Sequence, residues 1–534
     1  MTLTVTNPIL PGFNADPSIC RVGDDYYIAT STFEWYPGVQ ISQSKDLKNW
    51  RVISRPLNRP AQLNMLGNPD SCGIWAPCLT YSDGLFWLIY TDVKRLNGNF
   101  KDSHNYLVTS DTIDGDWSDP VFLNSSGFDP SLFHDDNGKK WLVNMVWDYR
   151  HTNHRFGGIL LQEYDHDKKQ LVGPIDNIFK GSSHGLVEGP HVYKLNGYYY
   201  RFTAEGGTSY EHVETVARSR HLKGPYELMP SVYLVTSKEH PNNYLQRSGH
   251  GSYCDTPDGD FVFVHLCSRP MRNSGRSPLG RETSLQMMTW KNDWPVLTHG
   301  SAAPLTTVEV PITQEMPFET QQARIEFNEP VLDIRFQWLR NPYPEEFIDL
   351  NSRPGYLRLK GFESLGSTFR SSLVALRQTD FKYQASTKME FNPKDYQQMA
   401  GLVCYYNTHK YHYLYVSYDE VKNRRRLGIM SCVAGATWNS EFPLYDELNE
   451  LEIPQSGALY LRANIDYSVL YFSWSIDGED WKKIDVRLDA SILSDEAGTG
   501  EGSNFTGAFS GICCQDLAGQ KRSADFEYFE YLNL

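Results

Sequence analysis

Hydrophobic and polar positions alternate along most of the chain, in short segments that end at turn-forming residues. This period of two is typical of β-strands with one buried face. The segments are rich in aromatic and β-branched residues, and Asp-Gly and Asn-Gly pairs separate several of them, as in β-hairpins. The pattern therefore predicts an all-β protein.

One unit of this pattern recurs five times in roughly the first three hundred residues. Each copy has a polar loop, a proline or small residue, an apolar strand, a hairpin turn and an aromatic-rich strand. Pro17, Pro77, Pro130 and Pro190 mark the same place at intervals of 60, 53 and 60 residues, and Ser252 follows 62 residues later. Such a period is typical of a propeller blade. A five-bladed β-propeller is predicted, with a sandwich of ordinary hairpins as the alternative.

A second domain is predicted after the repeats. The segment LTTVEVPITQEMPFETQQ is polar and proline-spaced, which is typical of a linker. Beyond it, segments such as LYLRANI and YHYLYVSYD alternate as half-buried strands do, and they predict a β-sandwich. We therefore expect a catalytic propeller at residues 1–308, a linker at 309–324 and a C-terminal β-sandwich at 325–534.

Length and charge narrow the possible classes. The chain has 534 residues, more than the roughly 250–300 at which a single core stops growing. Its net charge of −15 argues against nucleic acid as a partner, and the one basic run, Arg424 to Arg426, is predicted to be a solvated loop or turn. No segment resembles a membrane span or a secretory leader. A cytoplasmic protein is predicted.

Three carboxylates stand at the start of the first strand in three of the five repeats. In a propeller the innermost strand of each blade lines the central axis, so side chains at equivalent positions meet there. Asp16, Asp129 and Glu188 are therefore expected to face one cavity, with Trp75 and His250 at the equivalent places of the second and fifth blades.

The order of the blades suggests different roles for these acids. Asp129 and Glu188 belong to neighbouring blades, whereas Asp16 lies across the ring from both. Because one carboxylate disfavours ionisation of another nearby, Asp129 is expected to raise the pKa of Glu188 and keep it protonated as a general acid. Asp16, further from negative charge, is expected to activate water as a general base. A separation of about 6.5–9.5 Å would give inversion, and about 5–5.5 Å retention; the position across the ring favours the wider one.

Several other residues have more than one interpretation. Glu205, in TAEGG, is a rival acid that ranks second because it lies one strand further out. Trp75 and Phe33 either offer a flat face to a sugar ring or pack in the core. His250, between two glycines, either positions a partner by hydrogen bonding or serves a metal. Arg281 either stabilises charge near the site or pairs with a surface acid.

These motifs resemble those of glycoside hydrolase family 43, especially its two-domain β-xylosidases. NADPS, GIWAP, GFDPSLF and VEGPHVY carry the resemblance, and SGHGSY, LGRETS and NFTGAFSGICCQD extend it over essentially the whole chain. The resemblance implies a five-bladed propeller followed by a β-sandwich. It also implies the roles of general base for Asp16, pKa modulator for Asp129 and general acid for Glu188.

The resemblance further implies an activity and a pocket. Similar enzymes are exo-acting and release xylose from the non-reducing end of β-1,4-xylo-oligosaccharides with inversion, with side activity on α-L-arabinofuranosides. In them a sandwich loop supplies a phenylalanine that closes the pocket, which here is expected to be Phe505. The predicted substrate-binding residues are Trp75, Phe33, Arg281, His250, Thr208 and Phe505.

No required cofactor or metal is predicted. Calcium occurs in some similar enzymes, near the histidine that matches His250, so Ca²⁺ beside this residue is an open alternative. The sequence has no cluster of oxygen ligands typical of a calcium loop. Similar proteins are dimers or tetramers, so a homo-oligomer is expected, with a xylo-oligosaccharide as substrate and neither nucleic acid nor membrane as partner.

Three other classes share parts of this pattern. Fructan and sucrose hydrolases carry Asn-Asp-Pro-Asn before the first blade, where this chain has Asn14-Ala15-Asp16-Pro17-Ser18. Endo-arabinanases usually lack the large sandwich. A sugar-binding propeller without activity needs aromatic residues but no trio of acids, so turnover of a chromogenic xyloside would distinguish it.

Overall fold

The computed structural model describes residues 2–434, 441–443, 451–498 and 504–534. Within these ranges the chain forms β-strands and two short 3₁₀ turns, Pro344–Glu346 and Ala490–Ile492, and no α-helix. Accordingly, this part of the chain has no helix long and apolar enough to cross a membrane. The prediction of an all-β fold is confirmed.

Twenty-four strands precede residue 311. The first twelve are β1 (Leu3–Thr6), β2 (Ser18–Val22), β3 (Asp25–Thr30), β4 (Trp35–Tyr36), β5 (Gln40–Ser44), β6 (Arg51–Ser54), β7 (Gly73–Ser82), β8 (Leu85–Arg95), β9 (Asp102–Ser110), β10 (Val121–Asn124), β11 (Ser131–His134) and β12 (Lys140–Trp147). The next twelve are β13 (Phe156–Asp165), β14 (Gln170–Phe179), β15 (Glu188–Leu195), β16 (Tyr198–Glu205), β17 (Val213–Ser219), β18 (Glu227–Leu228), β19 (Val235–Thr236), β20 (Gln246–Asp255), β21 (Phe261–Ser268), β22 (Glu282–Lys291), β23 (Trp294–Leu297) and β24 (Thr307–Val310). The predicted domain boundary at residue 308 falls within β24, which pairs with β1.

Five antiparallel sheets follow one another along this amino-terminal part. Their strand orders are β2-β3-β5-β6, β7-β8-β9-β10, β11-β12-β13-β14, β15-β16-β17-β18 and β20-β21-β22-β23, and β19 adds to the fourth sheet beside β17. Most neighbouring strands are joined by short turns, as the Asp-Gly and Asn-Gly pairs predict. Each repeat in the sequence therefore forms one sheet.

The first strands of the five sheets contact one another in a closed order. β2 lies against β7 and β20, β11 lies against β7 and β15, and β15 also contacts β20. Serines near the start of these strands link neighbouring sheets: the Leu79 N–H donates to Ser18 Oγ at 3.1 Å, and Ser131 Oγ donates to the Pro190 carbonyl at 2.5 Å. The five first strands thus surround a common axis.

A left-handed backbone conformation recurs at the start of these first strands. It occurs at Asp16 (φ 55°), Ala76 (φ 33°), Asp129 (φ 53°), Gly189 (φ 57°) and His250 (φ 48°). This region is unfavourable for residues other than glycine, so its fivefold recurrence belongs to the repeat itself. Proline follows in four copies and Gly251 follows His250, so the fifth copy aligns one residue earlier than Ser252 suggests.

Sixteen further strands follow, and all of them except one, which pairs with β4, form two larger sheets. They are β25 (Arg324–Glu326), β26 (Trp338–Leu339), β27 (Ile348–Asp349), β28 (Leu357–Lys360), β29 (Ser372–Arg377), β30 (Lys382–Glu390), β31 (Gln398–Asn407), β32 (Lys410–Asp419), β33 (Arg424–Val433), β34 (Glu441–Pro443), β35 (Ala458–Asp466), β36 (Val469–Ser475), β37 (Lys482–Lys483), β38 (Leu488–Asp489), β39 (Phe509–Asp516) and β40 (Ser523–Asn533). One sheet has the order β27-β28-β40-β30-β35-β36-β37, with β25 on β40 and β38 on β36, and the other β29-β39-β31-β32-β33-β34. Leu402 and Val416 of the second sheet are buried in one cluster with Leu461 and Phe472 of the first. The two sheets form the predicted C-terminal sandwich.

The basic run from Arg424 to Arg426 is part of a strand. These residues begin β33 and pair with β32 in an antiparallel ladder. Because side chains alternate between the faces of a sheet, Arg425 points inward and is only 2% exposed. The prediction of a solvated loop or turn was wrong, since charge alone does not reveal that a run continues a hairpin.

Trp35 joins the amino-terminal part to the sandwich. It lies on β4, which pairs with β26 of the carboxy-terminal part. Its fully buried indole stacks on Phe509 of β39, with ring centroids 3.6 Å apart and planes 15° from parallel. The contact surface between the two parts is therefore packed as a hydrophobic core.

Replacing Trp35 with alanine is expected to lower the free energy of unfolding by about 3–5 kcal/mol, because it leaves a large cavity against Phe509. Urea unfolding followed by tryptophan fluorescence and circular dichroism measures the change. Phe122→Ala is the control, since Phe122 is 53% exposed. An equally small effect of both variants would contradict the role assigned to Trp35.

Candidate active site

A cavity of about 230 Å³ lies where the first strands of the five sheets begin. All nine site residues predicted from the sequence line it: Asp16, Asp129, Glu188, Trp75, Phe33, Arg281, His250, Thr208 and Phe505. Five further residues that the sequence analysis missed complete the walls: Leu96, Lys101, Phe128, Trp147 and Phe156. The structure therefore brings the whole predicted set together at one place.

The repeated left-handed turn delivers the three acids to this cavity. Asp16 and Asp129 occupy the left-handed position itself, whereas Glu188 stands one residue before it. In that copy the left-handed residue is Gly189, where an added Cβ would lie 2.6 Å from His250 Nε2. Glycine is needed there for the close approach of the imidazole, since residues other than glycine hold the same left-handed conformation in the other four copies.

Asp16 is surrounded by donors of hydrogen bonds. Its Oδ1 accepts from Arg281 Nη1 at 2.9 Å and lies 3.4 Å from His250 Nδ1. Its Oδ2 accepts from Ser31 Oγ at 2.6 Å. Burial alone would raise the pKa of Asp16, but Arg281, His250 and Ser31 outweigh burial and hold this pKa well below its ordinary value. Asp16 is therefore ionised, through pairing with Arg281 and His250 rather than through distance from other acids.

His250 carries a positive charge in this environment. Burial opposes that charge, but the hydrogen bond to Asp16 and the charges of Asp16, Asp129 and Glu188 raise the pKa of His250 to about 9. A protonated imidazole has no lone pair to offer a metal. No group of three or more potential ligand side chains among the described residues is arranged to hold a metal ion. These residues therefore do not fit a Ca²⁺ ion beside His250. The alternative of calcium at this place is not supported.

Glu188, unlike Asp16, is held in its protonated form. Burial raises the pKa of Glu188 to about 8, and the charge of Asp129 adds to this effect. Burial also raises the pKa of Asp129, to about 6, and the Gly189 N–H donates to Asp129 Oδ2 at 3.1 Å. Glu188 is thus protonated near neutral pH, as expected, although desolvation contributes more than the neighbouring acid.

Aromatic rings form one wall of the cavity. Phe33 lies 5.7 Å from Trp75 and 6.2 Å from Phe505 between ring centroids. Trp75 also contacts Phe128 at 5.3 Å and Phe505 at 5.8 Å. Such a wall offers apolar faces to the C–H bonds of a sugar, while the acids supply the polar side.

Phe505 reaches this wall from the carboxy-terminal part. Its N–H donates to Ser71 Oγ at 3.1 Å, and its carbonyl accepts from Arg281 Nη2 at 3.2 Å. The Ser71 carbonyl in turn accepts from Trp75 Nε1 at 2.9 Å. One serine therefore positions rings from both parts of the fold, and Arg281 connects this network to Asp16.

Among the five missed residues, Trp147 and Phe156 carry a signal in the sequence, whereas Lys101 does not. Trp147 ends β12 and Phe156 begins β13, where they face each other across the hairpin with ring centroids 5.6 Å apart. An aromatic pair at facing strand ends could have indicated them. Lys101 lies in no repeat position, yet its Nζ stands 4.5 Å from the centre of the Trp147 ring and donates to the Leu96 carbonyl at 3.0 Å.

Glu205, the rival acid, lies outside the cavity. It is fully buried at the end of β16. Its carboxylate accepts from Ser182 N at 2.9 Å, Ser182 Oγ at 2.7 Å and Thr215 Oγ1 at 2.8 Å. These partners give Glu205 a structural role within the fourth sheet.

Comparison with known proteins places the chain among glycoside-cleaving enzymes. The family model described as Glycosyl hydrolases family 43 matches residues 5–295, and the model described as Beta xylosidase C-terminal Concanavalin A-like domain matches residues 324–532. The xylosidase/arabinosidase 43B of Humicola insolens is 51% identical over 99% of this chain and 97% of its own length. The beta-xylosidase of Bacillus subtilis (strain 168) is 48% identical over 99% of both chains. The crystal structure of xylan beta-1,4-xylosidase from Bacillus Halodurans C-125 superposes with a TM-score of 0.95, at 49% identity over 99% of this chain and 100% of that one.

Proposed function

Because the chain belongs to glycosyl hydrolases family 43, we propose that it is an exo-acting β-xylosidase that releases xylose from the non-reducing end of β-1,4-xylo-oligosaccharides with inversion. The chain is a glycosidase by its family. Xylosidase names recur among relatives that match it over nearly their whole length. A side activity on α-L-arabinofuranosides is included in the proposal, since one of them is a xylosidase/arabinosidase.

The five amino-terminal sheets are proposed to be the blades of a five-bladed β-propeller. The closed order of contacts among the first strands supports this, as does the recurrence of one backbone conformation at their starts. A ring of blades places equivalent positions around one axis, which accounts for the shared cavity. Domain bounds of 1–308 and 325–534, a cytoplasmic location and a dimeric or tetrameric state stay predictions from the sequence.

The opposite charge states of Asp16 and Glu188 in one cavity carry the mechanistic proposal. Ionised Asp16 accepts a proton from water as that water attacks the anomeric carbon. Protonated Glu188 donates its proton to the departing glycosidic oxygen. Burial, to which the charge of Asp129 adds, keeps the pKa of Glu188 high, and Arg281 and His250 hold Asp16 in place. The strong pairing of Asp16 makes it a modest base that is ionised at every working pH.

Exo-action is supported by the shape of the cavity. Its volume is about 230 Å³, and Phe33, Trp75 and Phe505 enclose one side of it. Such a pocket suits one terminal sugar rather than an internal stretch of a polysaccharide. Trp147 and Phe156, further along the wall, are placed to contact the sugar that leaves.

Proton NMR of the fresh reaction on xylobiose tests the proposed function. Xylose that appears first as the α-anomer, before mutarotation, supports hydrolysis of a β-xyloside with inversion. Xylose that appears first as the β-anomer would make Asp16 a nucleophile and overturn the mechanism. If only α-L-arabinofuranosides are turned over, the substrate assignment is wrong while the acid and base assignments survive.

Replacing Asp129 with asparagine is expected to shift the alkaline limb of the pH profile of kcat/KM to lower pH. The reaction needs protonated Glu188, whose pKa is raised to about 8, so activity falls as pH rises through that value. Removal of the Asp129 charge removes one cause of the raised pKa. The profile is measured on xylobiose, with Glu205→Gln as the control, because Glu205 lies outside the cavity. An unchanged alkaline limb would contradict the modulator role.

A further inference from the structure

A second and larger cavity lies between the first sheet and the carboxy-terminal sandwich. Its volume is about 510 Å³. The amino-terminal part contributes residues of β5 and β6 and the segment between them, and the carboxy-terminal part contributes Leu376, Arg377, Thr379 and Tyr531. This cavity shares no lining residue with the active site.

Two arginines from opposite sides meet at the base of this cavity. Arg55, just after β6, and Arg377, at the end of β29, are 7% and 9% exposed. Arg55 Nη2 donates to Gln40 Oε1 at 2.8 Å, and Arg377 Nη1 donates to the same oxygen. Arg55 Nε donates to the Ile334 carbonyl at 3.0 Å. A single neutral amide oxygen is thus shared by two guanidinium groups.

The remaining nitrogens of these arginines have no hydrogen-bond acceptor in the part of the chain that the structure describes, although the Arg377 guanidinium lies 5.6 Å from the Phe13 ring and 5.8 Å from the Phe509 ring. Arg55 Nη1 and Arg377 Nε and Nη2 are buried without an acceptor among the described residues. Leaving such charged donors unsatisfied is costly, and guanidinium groups in proteins usually face carboxylate or phosphate oxygens. Three donors from two chain segments therefore lack an oxygen ligand.

Cationic side chains outnumber the acids that compensate them around this cavity. Within the described part of the chain no aspartate or glutamate lines it, whereas five cationic side chains do: Lys48, Arg51, Arg55, Arg335 and Arg377. Arg335 pairs with Asp333 at 2.7 Å and Lys48 with Glu315 at 2.9 Å, while Arg51 lies over the Phe318 ring at 4.3 Å. The positive charge is concentrated here although the chain as a whole carries −15.

Burial disfavours the charged form of both arginines, and the charge of Asp333 opposes this effect only in part at Arg55. Burial and the neighbouring Arg377 hold the pKa of Arg55 well below its ordinary value. Burial lowers the pKa of Arg377 to about 9. An anion bound between them would reverse both effects, because an opposite charge favours the protonated form.

We propose that this cavity is a binding site for a small oxyanion with at least two negative charges, such as a phosphate group or a dicarboxylate, held between Arg55 and Arg377. Such a ligand presents several acceptor oxygens, which match the unpartnered Nε and Nη2 of Arg377 and the unpartnered Nη1 of Arg55. Since Arg55 and Arg377 come from the two parts of the fold, the bound anion would hold those parts together. The proposal is independent of the reaction at the active site.

Thermal unfolding of the full chain in the presence of anions tests the site. Inorganic phosphate and malonate, each at a pH where it is a dianion, are expected to raise the unfolding temperature saturably, by roughly 2–5 °C. Sodium chloride and acetate at the same ionic strength should raise it by less. A response that follows ionic strength alone, with the same size for all four salts, would overturn the proposal. A response to one of the two dianions alone identifies phosphate or carboxylate as the chemistry recognised.

The variant Arg377→Met distinguishes anion binding at this site from a general effect of salt on the unfolding temperature. Methionine keeps much of the length of the side chain but removes the donors, so the phosphate or malonate response should be lost. Arg425→Met is the matched control, because Arg425 is also a buried arginine with unpartnered Nε and Nη2, but lies in β33, away from the cavity. An anion response that persists in Arg377→Met would overturn the assignment.

Gln40→Glu gives a test that does not depend on removing a buried arginine. The new carboxylate would occupy the position of the amide oxygen that both arginines already contact. Its charge would replace that of the anion, but the carboxylate loses the hydrogen bond that Gln40 Nε2 donates to Asn14 Oδ1 at 2.6 Å, so the response to added anion is the deciding measurement. Its response to phosphate and malonate should be at least tenfold weaker in apparent affinity. A full anion response in this variant would contradict the inference.

Discussion

Replacing Asp16 with asparagine is expected to lower kcat by roughly 10³- to 10⁴-fold on both xylobiose and an aryl β-xyloside. Activation of water is needed whichever group departs, so the loss should not depend on the leaving group. Asparagine has nearly the shape of aspartate: its Oδ1 can still accept from Arg281, which contacts the carboxylate at 2.9 Å, and its Nδ2 can donate to Ser31 Oγ, which lies 2.6 Å from the other carboxylate oxygen. The cavity should therefore keep its form, and KM should change less than kcat. Steady-state kinetics on the two substrates measures the effect.

The control for this variant is Glu205→Gln. Glu205 is also a fully buried carboxylate, but Ser182 and Thr215 satisfy it outside the cavity. We expect kcat within about tenfold of the original value, even if the unfolding temperature falls. Because Asp16→Asn leaves the charges of Arg281 and His250 without their counterion, its folded state must be checked by circular dichroism. A folded Asp16→Asn variant with near-normal kcat would show that Asp16 is not the base.

Replacing Glu188 with glutamine is expected to have an effect that depends on the leaving group. On xylobiose the departing sugar hydroxyl needs a proton, and the loss in kcat should be roughly 10³-fold. An aryl β-xyloside with an acidic phenol needs little protonation, so the loss there should be about tenfold or less. The alkaline limb of the pH profile on xylobiose should also disappear, because the pKa of about 8 that sets it belongs to Glu188.

The comparison between the two substrates decides the role of Glu188. An equal loss on both would mean that Glu188 acts by binding or by positioning rather than by donating a proton. Glu205→Gln again serves as the control, and it should preserve the ratio of the two activities. Asp16→Asn should lower kcat equally on the two substrates, and Glu188→Gln should lower it unequally. This difference distinguishes the base from the acid by kinetics alone.

The inverting mechanism also depends on the separation of the two carboxyl groups. Their order around the axis places Asp16 and Glu188 in sheets that are not consecutive, which favours the wider spacing of about 6.5–9.5 Å. The anomer released first from xylobiose distinguishes the two spacings, because the wider one gives inversion and the narrower one gives retention. The spacing therefore stays a prediction that the product decides.

Much of the fold and of the acid trio can be derived from the sequence because both depend on local repetition. One strand, turn and strand unit recurs, and its left-handed residue recurs with it at Asp16, Asp129 and His250. A conformation that is determined by neighbouring residues produces a motif that recurs at regular intervals in the sequence. Glu188 was found by the same regularity, although it stands one residue before the left-handed position.

Contacts between segments that are far apart in the chain do not produce a recurring sequence motif. The pairing of Asp16 with Arg281, 265 residues away, decides that Asp16 is ionised, and the sequence offered a different reason. Burial, which has the largest effect on Glu188, is a property of the assembled ring. The strand position of Arg425 was missed for a related reason, because its burial depends on the partner strand.

The sequence by itself thus determined the class of fold, the three acids and the family, since these follow from short motifs and a fixed period. Only the tertiary structure decided what causes the charge states of Asp16 and Glu188, the contribution of Lys101, Trp147 and Phe156 to the cavity, and the meeting of Arg55 with Arg377. The physical reason is that electrostatic environment and enclosure depend on which segments pack together. Residues far apart in the chain acquire their chemistry from that packing.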